Sequence, residues 1–436
     1  MFKVLKFGGS SMADANQLKK VKSIVSAEKS RKVVIVSAAG KRFSGDNKVT
    51  DLLYLCYAHL QYGVNYDSVF EIVRERYISI RDDLSLTCDI EAELDAIKRK
   101  MDDGITQDEL VSRGEYLSAI LLSEYLGYKF VDATEWLTFS FDGTVDMEKS
   151  YEKLRNIPYE KGIVIPGFYG VMPNASIKTL SRGGSDITGA LAAAAFSADV
   201  YENWTDVSGV LMADPRIVEN PKPIKNITYD ELRELSYMGA QVLHEDTILP
   251  VKNANIPLNI RNTNDPENPG TMILQKFNED EQDGFITGVA GKHDFTIISI
   301  HKSGMSKTVG LMKTIASIFK KYNVSIEYAP SSIDLFSFVM PTASIEDNLY
   351  SIVGELKTEL DPVKITITDK IAVIAVVGRK MAFKPGTSGK LFAALGQNNI
   401  NIRMISQGPD EKNIIVGVNN DDFEKTVRVL YDSFIK

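Results

Sequence analysis

Lys6-Phe7-Gly8-Gly9-Ser10-Ser11 places a cation, two glycines and two hydroxyls at the end of a strand-like run, Phe2–Phe7. Paired glycines after a strand let the backbone turn sharply and approach a ligand closely. A helix that follows, from about Asp14 to Val25, would turn unpaired N–H groups and a positive dipole end toward the same point. That is the chemistry of an anion site, with Lys6 able to neutralise a phosphate. It is not a P-loop, because no Gly-Lys-Ser/Thr follows at the required spacing. Ser181-Arg182-Gly183-Gly184-Ser185-Asp186 repeats the arrangement, and the Arg182 fork suits bidentate binding of a carboxylate or phosphate. Either glycine pair alone also fits a plain turn, and Arg182 with Asp186 also fits a helix-capping pair. Two such openings in one chain point to a ligand cleft.

Three further groups are polar enough to matter. In Ser112-Arg113-Gly114-Glu115, the carboxylate is read at the opening of an apolar helix, Leu110–Leu126. There it either favours the N-terminal dipole or holds a substrate ammonium group. Trp204-Thr205-Asp206, with Gly209 and Asp214-Pro215-Arg216, has the form of a strand end and glycine turn suited to a nucleotide rim, while Trp204 itself reads as core. Gly239-Ala240-Gln241-Val242-Leu243-His244 contains one of the 4 histidines, and a lone histidine is more often structural than catalytic. No cluster with metal-ligand spacing is present, so no protein-bound transition metal is implied. The 2 cysteines, Cys56 and Cys88, form no C-x-x-C pair. That pattern suits a reducing compartment, and Cys56, in the helical stretch Leu52–Leu60, reads as a buried thiol.

The elements that must position these groups alternate strand and helix. Val33–Ser37, Phe130–Asp132, Gly162–Pro166, Asp199–Trp204 and Ile256–Arg261 read as strands; Leu110–Leu126, Ser185–Ala198 and Tyr229–Met238 read as helices. This order implies an open, mainly parallel α/β sheet extending to about residue 285. Asn262–Gly284, rich in Asn, Asp and Pro, reads as a connector. Beyond it lies a repeat. Gly310 and Asn323 recur as Gly386 and Asn399, and Ile315, Phe319, Val324 and Ile326 fall on Leu391, Leu395, Ile400 and Ile402. The matching apolar register predicts two βαββαβ units. The first has strands at 295–301, 324–328, 335–340 and 363–367; the second has strands at 371–377, 400–405 and 413–418 and a last strand that the pattern does not locate.

The bulk properties agree with this organisation. A chain of 436 residues exceeds one ordinary core, so two or three domains are expected. Net charge is −8 and no basic run occurs, which argues against general nucleic-acid binding. No stretch reaches the roughly 18 uninterrupted apolar residues of a membrane span. No leader pattern is read at the N-terminus, so a cytoplasmic location is expected.

Together these residues resemble the aspartate kinases, in the amino acid kinase family. Lys6–Ser11 is similar to the family's K-F-G-G-[ST]-S, Ser112–Glu115 to its S-x-G-E, and Ser181–Asp186 to its G-R-G-G-S-D, with Ser for the first Gly. Trp204–Gly209 is similar to its W-T-D-V-x-G and Asp214–Arg216 to its D-P-R, while Ser37 and Thr50 stand where it carries a strand-two serine and a following threonine. The 286–436 repeat resembles paired ferredoxin-like ACT regulatory domains. The resemblance implies a kinase domain at 1–285 and ACT domains at 286–367 and 368–436, with the 286–302 strands assignable to either.

The implied reaction moves the γ-phosphoryl group of ATP to the β-carboxylate of aspartate, the first step towards lysine, threonine and methionine. A carboxylate is already ionised at neutral pH, so no general base is needed. Catalysis then rests on positioning and charge neutralisation. By resemblance, Lys6 stabilises the transferring phosphoryl, the amides around Gly8, Gly9 and Ser10 cradle it, and Asp186 orients Lys6 or neighbouring donors. Ser37, Thr50, Glu115, Arg182 and Ser185 would bind aspartate, Glu115 at the α-ammonium and Arg182 at the α-carboxylate. Lys6, Thr205, Asp206, Leu211, Arg216, Gln241 and Val242 would bind nucleotide, with Mg²⁺ carried on the ATP phosphates. Many members have Tyr at the position of Leu211 and Lys at that of Gln241, so weaker ATP contacts are expected. Met305, Ser325, Ile326, Glu327, Ser331 and Ser332 resemble an effector site, lysine being the first choice and threonine the second. A homodimer or tetramer through the ACT domains is implied. Two alternatives stay open: a kinase for glutamate or another small carboxylate, and a non-catalytic amino-acid sensor.

Overall fold

The structure, a computed structural model, describes residues 1–181, 183–240, 243, 245–276, 286–379, 381, 384–408 and 412–435. The chain forms two compact units. The first comprises Met1–Val210, Pro223–Asp230 and Val242–Asn278; the second comprises Leu211–Lys222, Glu231–Gln241 and Glu279–Lys436.

The first unit is built on an eight-stranded sheet of β1 (Lys3–Phe7), β2 (Arg31–Val36), β3 (Lys129–Phe130), β4 (Ile163–Pro166), β5 (Val200–Thr205), β6 (Asn226–Thr228), β7 (Leu258–Asn262) and β8 (Thr271–Leu274). Their order is β6-β8-β7-β5-β1-β2-β4-β3, and every neighbouring pair is parallel except β7 with β8. Alternation along a strand sends successive side chains to opposite faces. Leu5, Phe7, Val34 and Val36 therefore face one core with the helices Ala15–Ser26 and Gln107–Leu126. Lys6 faces the other side, where the helix Gly184–Ala195 packs across β1, β2 and β5. Because β1, β2, β4 and β5 run parallel, Phe7, Val36, Pro166 and Thr205 all end at one edge. Ligands of open α/β sheets bind outside that carboxyl edge. The stretch expected as a connector supplies β8, because Thr271-Met-Ile-Leu alternates buried and half-buried residues and pairs with β7 and β6.

The second unit contains a five-stranded antiparallel sheet of β9 (Ile286–His301), β10 (Leu335–Pro341), β11 (Lys364–Gly378), β12 (Met404–Ser406) and β13 (Asn413–Asn419), in the order β10-β9-β11-β13-β12. Both copies of the repeat are present. Gly310 and Gly386 begin their helices at φ 86° and 88°, and Asn323 and Asn399 follow them at φ 55° and 52°. Left-handed backbone favours Gly and Asn, which is why this pair marks each copy. The strand missing from the second copy lies upstream of the first. Residues 286–292 of β9 pair with 373–378 of β11, and 295–301 pair with 364–371 and with β10. Two cores result, one around Ile315, Phe319 and Phe338, the other around Ile374, Leu391 and Leu430.

The strand expected at 324–328 shrinks to a single bridge from Tyr328 to Val339. The same register continues beyond it, with the Ser337 amide donating to the Pro330 carbonyl at 2.9 Å and Ser331 bridging Phe336. Two stretches from before residue 285 belong to this unit for a visible reason. Met212 accepts the Val289 amide at 2.7 Å, Ala213 and Val218 join the second core, and Arg379 Nε donates to Glu231 at 2.7 Å.

Candidate functional site

At the carboxyl edge of β1 the chain passes through Gly8 into a short 3₁₀ turn, Gly9–Met12, before the helix Ala15–Ser26 begins. The anion site read from the sequence is thus a turn rather than the end of that helix. The Asp14 carboxylate caps the helix instead, accepting from the Gln17 amide at 2.9 Å. Gly8 donates to the Trp204 carbonyl at 2.9 Å, and Gly9 accepts from the Gly40 amide at 2.8 Å. A Cβ on Gly40 would sit 2.5 Å from the Gly9 carbonyl carbon and 2.8 Å from the Ser10 nitrogen. Backbone on both sides leaves no rotamer to relieve the clash. Gly40→Ala is therefore expected to cost about 1–3 kcal/mol and to lower kcat beyond the loss of folded protein. Thermal midpoint and turnover measured on the same sample check this; unchanged values for both count against the close approach.

Lys6, only 7% exposed, places Nζ 2.6 Å from Asp186 Oδ1. Asp186 comes from the first turn of the helix Gly184–Ala195, which follows the left-handed Gly183 at φ 76°. Asn203, in register with Lys6 across β1 and β5, donates Nδ2 to the same Asp186 oxygen at 2.9 Å. Its own Oδ1 is buried without a partner. The chain Asn203–Asp186–Lys6 is a pre-set cation at the glycine turn. Asn203 was missed in the sequence, although a polar Glu-Asn pair inside an otherwise apolar parallel strand is a signal. Glu202, the other member, is structural: it takes Arg31 at 3.0 and 3.1 Å, Lys3 at 3.0 Å and the Trp204 indole at 3.0 Å. Trp204 is fully buried against Phe7, as its reading as core anticipated.

Glu115 departs from its expected setting. The helix carrying it begins at Gln107, capped by Thr106, so Glu115 lies two turns inside and the N-terminal dipole does not account for it. It is 4% exposed, one carboxylate oxygen has no partner, and burial pushes its pKa up to about 8. The Ala38 amide, Arg113 and Lys6 pull in the opposite direction. A buried carboxylate with a free oxygen is costly unless something cationic arrives. Gly114 makes room for this: a Cβ there would lie 2.6 Å from that of Ala38, so the helix presses directly on the loop after β2. Ser37, half-buried, opens that loop, donating its amide to Phe7 at 3.1 Å, and Thr50 closes it in the first turn of the helix Val49–Gln61. Ser185 is buried beside Gly167 at the end of β4.

The first unit thus brings together Lys6, Gly8, Gly9, Ser10, Asp186, Asn203, Ser37 and Glu115 around the edge of β1 and β2. Thr205 and Asp206 also belong to it, half-buried and exposed, with the Thr205 hydroxyl 3.2 Å from Asp206 Oδ1. Leu211 and Arg216 belong to the second unit, where the exposed Arg216 forks onto Asp214 at 2.6–3.1 Å. Arg182, Gln241, Val242 and His244 lie outside the described residues. Among the described residues no group of three or more His, Cys, Asp or Glu is assembled for a metal. None of their helices is long and apolar enough to cross a membrane.

The residues expected to bind an effector are spread through the second unit. Met305 is buried in the first repeat core with Ile298 and Leu311. Ser325 and Ile326 line a shallow groove of about 280 Å³ with Lys320. Ser331 and Ser332 line a separate groove of about 510 Å³ with Ser299, Ser337, Thr368 and Arg403. Glu327 receives a hydrogen bond from Tyr237, whose phenol it helps push up to about 12, after burial.

Comparison with known proteins matches residues 1–262 to the amino acid kinase family and residues 374–434 to an ACT domain. Aspartokinase 3 of Bacillus subtilis is 34% identical over 99% of this chain and 98% of its own length. The crystal structure of Clostridium acetobutylicum aspartate kinase superposes with a TM-score of 0.93 at 48% identity, covering 99% of this chain and all of that one. Aspartokinase III of Escherichia coli, at 26% identity and full coverage of both chains, gives TM-scores of 0.78 in its complex with aspartate and ADP and 0.77 in its complex with lysine and aspartate.

Proposed function

The chain belongs to the aspartate kinases of the amino acid kinase family, and from that premise we propose that it transfers the γ-phosphoryl group of ATP to the β-carboxylate of aspartate, giving 4-phosphoaspartate. The choice of aspartate follows the family, and the observation that supports an amino-acid acceptor over a simple carboxylic acid is the buried, half-unpaired carboxylate of Glu115 behind the Ser37 loop. An α-ammonium group satisfies it, and a simple carboxylic acid does not.

Each residue then has a task. The amides of Gly9 and Ser10 hold phosphoryl oxygens, whereas the Gly8 amide, expected beside them, is spent on the Trp204 carbonyl. Lys6, aimed by Asp186 and Asn203, neutralises the charge that spreads over the phosphoryl group in a loose transition state. Glu115 holds the α-ammonium, Ser37, Thr50 and Ser185 place the remaining substrate oxygens, and Arg182 clamps the α-carboxylate. The β-carboxylate attacks as the anion it already is at neutral pH, so no proton moves in the step. Thr205, Asp206, Leu211, Arg216, Gln241 and Val242 are assigned to the nucleotide. Mg²⁺ is assigned to the ATP phosphates, since Asp186 is already engaged by Lys6 and Asn203. The enzyme is placed in the cytoplasm as a homodimer or tetramer, with the kinase domain ending near residue 285 and ACT boundaries near 367 and 368.

ADP release with aspartate, glutamate and succinate as acceptors tests the acceptor assignment. Turnover with aspartate alone is expected; equal rates with succinate contradict the role of Glu115. For regulation, lysine is the first choice of inhibitor and threonine the second. Support comes from the serine-lined groove at Ser331 and Ser332 and from the lysine complex of the Escherichia coli relative. Millimolar lysine is expected to lower turnover at least severalfold. Insensitivity to both amino acids removes the regulatory reading and leaves the catalytic one standing.

A further inference from the structure

The loop that joins Ser37 to Thr50 faces solvent. Lys41–Gly45, Asn47 and Lys48 are exposed, yet Asp46 between them is only 8% exposed. A loop that buries one carboxylate among exposed neighbours needs a cation beneath it. Two arginines meet it: Arg42, on the loop itself, forks onto Asp46 at 2.8 and 3.1 Å, and Arg76, 3% exposed in the helix Asp67–Asp83, lies beneath, with Nη2 donating to Asp46 Oδ2 at 2.7 Å and Nη1 to the Gly40 carbonyl at 2.8 Å. Gly40 in turn donates its amide to Gly9 at 2.8 Å, so the guanidinium stands two hydrogen bonds from the glycine turn.

The next residue, Tyr77, is also fully buried. Its hydroxyl donates to the Gly114 carbonyl at 2.7 Å and receives the Ala39 amide at 3.5 Å. Gly114 precedes Glu115, and Ala39 follows the residue whose amide bonds Glu115. Two adjacent side chains therefore tie together the phosphate turn, the Ser37 loop and the Glu115 helix, the three segments assigned to the reaction. Buried ion pairs are weak stabilisers compared with apolar packing of the same volume. Their geometric specificity is the property this arrangement uses.

We propose that Arg76 and Tyr77 are positioning residues for the phosphoryl transfer, fixing the Gly40–Asp46 loop and the Glu115 helix against the Gly8–Ser10 turn. This rests on the aspartate kinase reading. The test is steady-state kinetics of Arg76→Met, Arg76→Lys and Tyr77→Phe beside the unmodified enzyme, with folded fraction measured for each. Misplacement of reacting groups predicts about a tenfold rise in aspartate KM and a tenfold fall in kcat for Arg76→Met, with ATP KM within about threefold. Arg76→Lys, which keeps the charge but not the fork, is expected to recover part of both losses. Tyr77→Phe is expected to raise aspartate KM about fivefold with kcat within about twofold. If Arg76→Met does not fold, the other two variants decide. Both KM values unchanged in Arg76→Lys and Tyr77→Phe, with kcat falling only as the folded fraction falls, overturns the proposal. Absence of aspartate turnover in the unmodified enzyme instead overturns the catalytic reading, and this proposal with it.

Discussion

Lys6→Ala is expected to lower kcat about 10³-fold while leaving aspartate KM within about threefold, because removing one preorganised donor from a developing charge costs about 10²–10³. The upper end applies here for two reasons. Lys6 is a nearly buried full charge rather than a neutral amide. Its removal also leaves Asp186 Oδ1, which it contacts at 2.6 Å, as an uncompensated anion beside the triphosphate. Asp186→Asn keeps the cation and loses only its aim, so it should cost about tenfold less than Lys6→Ala. Asn203→Ala should fall between Asp186→Asn and the unmodified enzyme, because Asp186 loses its 2.9 Å donor and keeps Lys6. Single-turnover rates at saturating ATP and aspartate measure this. A Lys6→Ala enzyme within tenfold of the parent contradicts the role given to the side chain.

Glu115→Gln is expected to reduce kcat/KM for aspartate about 10²-fold, since truncating one partner of a buried charged contact costs about 2–5 kcal/mol. The substitution is isosteric, so little of this should come from packing. The elevated pKa of about 8 adds a pH signature. In the free enzyme Glu115 is mostly protonated at pH 7, and the substrate ammonium requires it ionised. Aspartate affinity should rise about tenfold per pH unit below 8 and level off above it, with proton release on binding. The stability sign is the opposite. A carboxyl group whose folded pKa lies above its unfolded value of 4.5 stabilises the fold at low pH, and that contribution is lost as pH rises towards 8. Glu115→Gln should therefore gain stability relative to the parent as pH rises from about 5 to 8. Calorimetric aspartate titrations at pH 6, 7, 8 and 9, with thermal midpoints at the same pH values, test both signs. A flat affinity profile in the parent would remove Glu115 from the ammonium site.

Much of the fold was legible because its signals are local. Short apolar β-branched runs read as strands at Val33–Ser37 and Gly162–Pro166 form buried parallel strands at Arg31–Val36 and Ile163–Pro166, offset by one or two residues at their ends. The repeat was legible because left-handed backbone selects Gly at 310 and 386 and Asn at 323 and 399. The last strand of the second copy was not, since Ile286–Lys292 is separated from its partner on β11 by the whole first copy. Pairing over such a distance leaves no mark in a periodicity. At the site, the glycine turns and Lys6 could be read from spacing, whereas Asn203, Gly40 and Arg76 act through contacts between segments far apart in sequence. Glu115 was identified for its residue type, but the dipole offered as its structural alternative placed it at the helix opening, whereas the helix begins at Gln107, two turns earlier.

Trapping the product tests the central claim most directly. The unmodified enzyme, incubated with ATP, Mg²⁺, aspartate and hydroxylamine, should form aspartyl hydroxamate in step with ADP, and Lys6→Ala should form it only at the residual rate. ADP release without hydroxamate, or no turnover with aspartate at all, contradicts phosphorylation of the aspartate carboxylate.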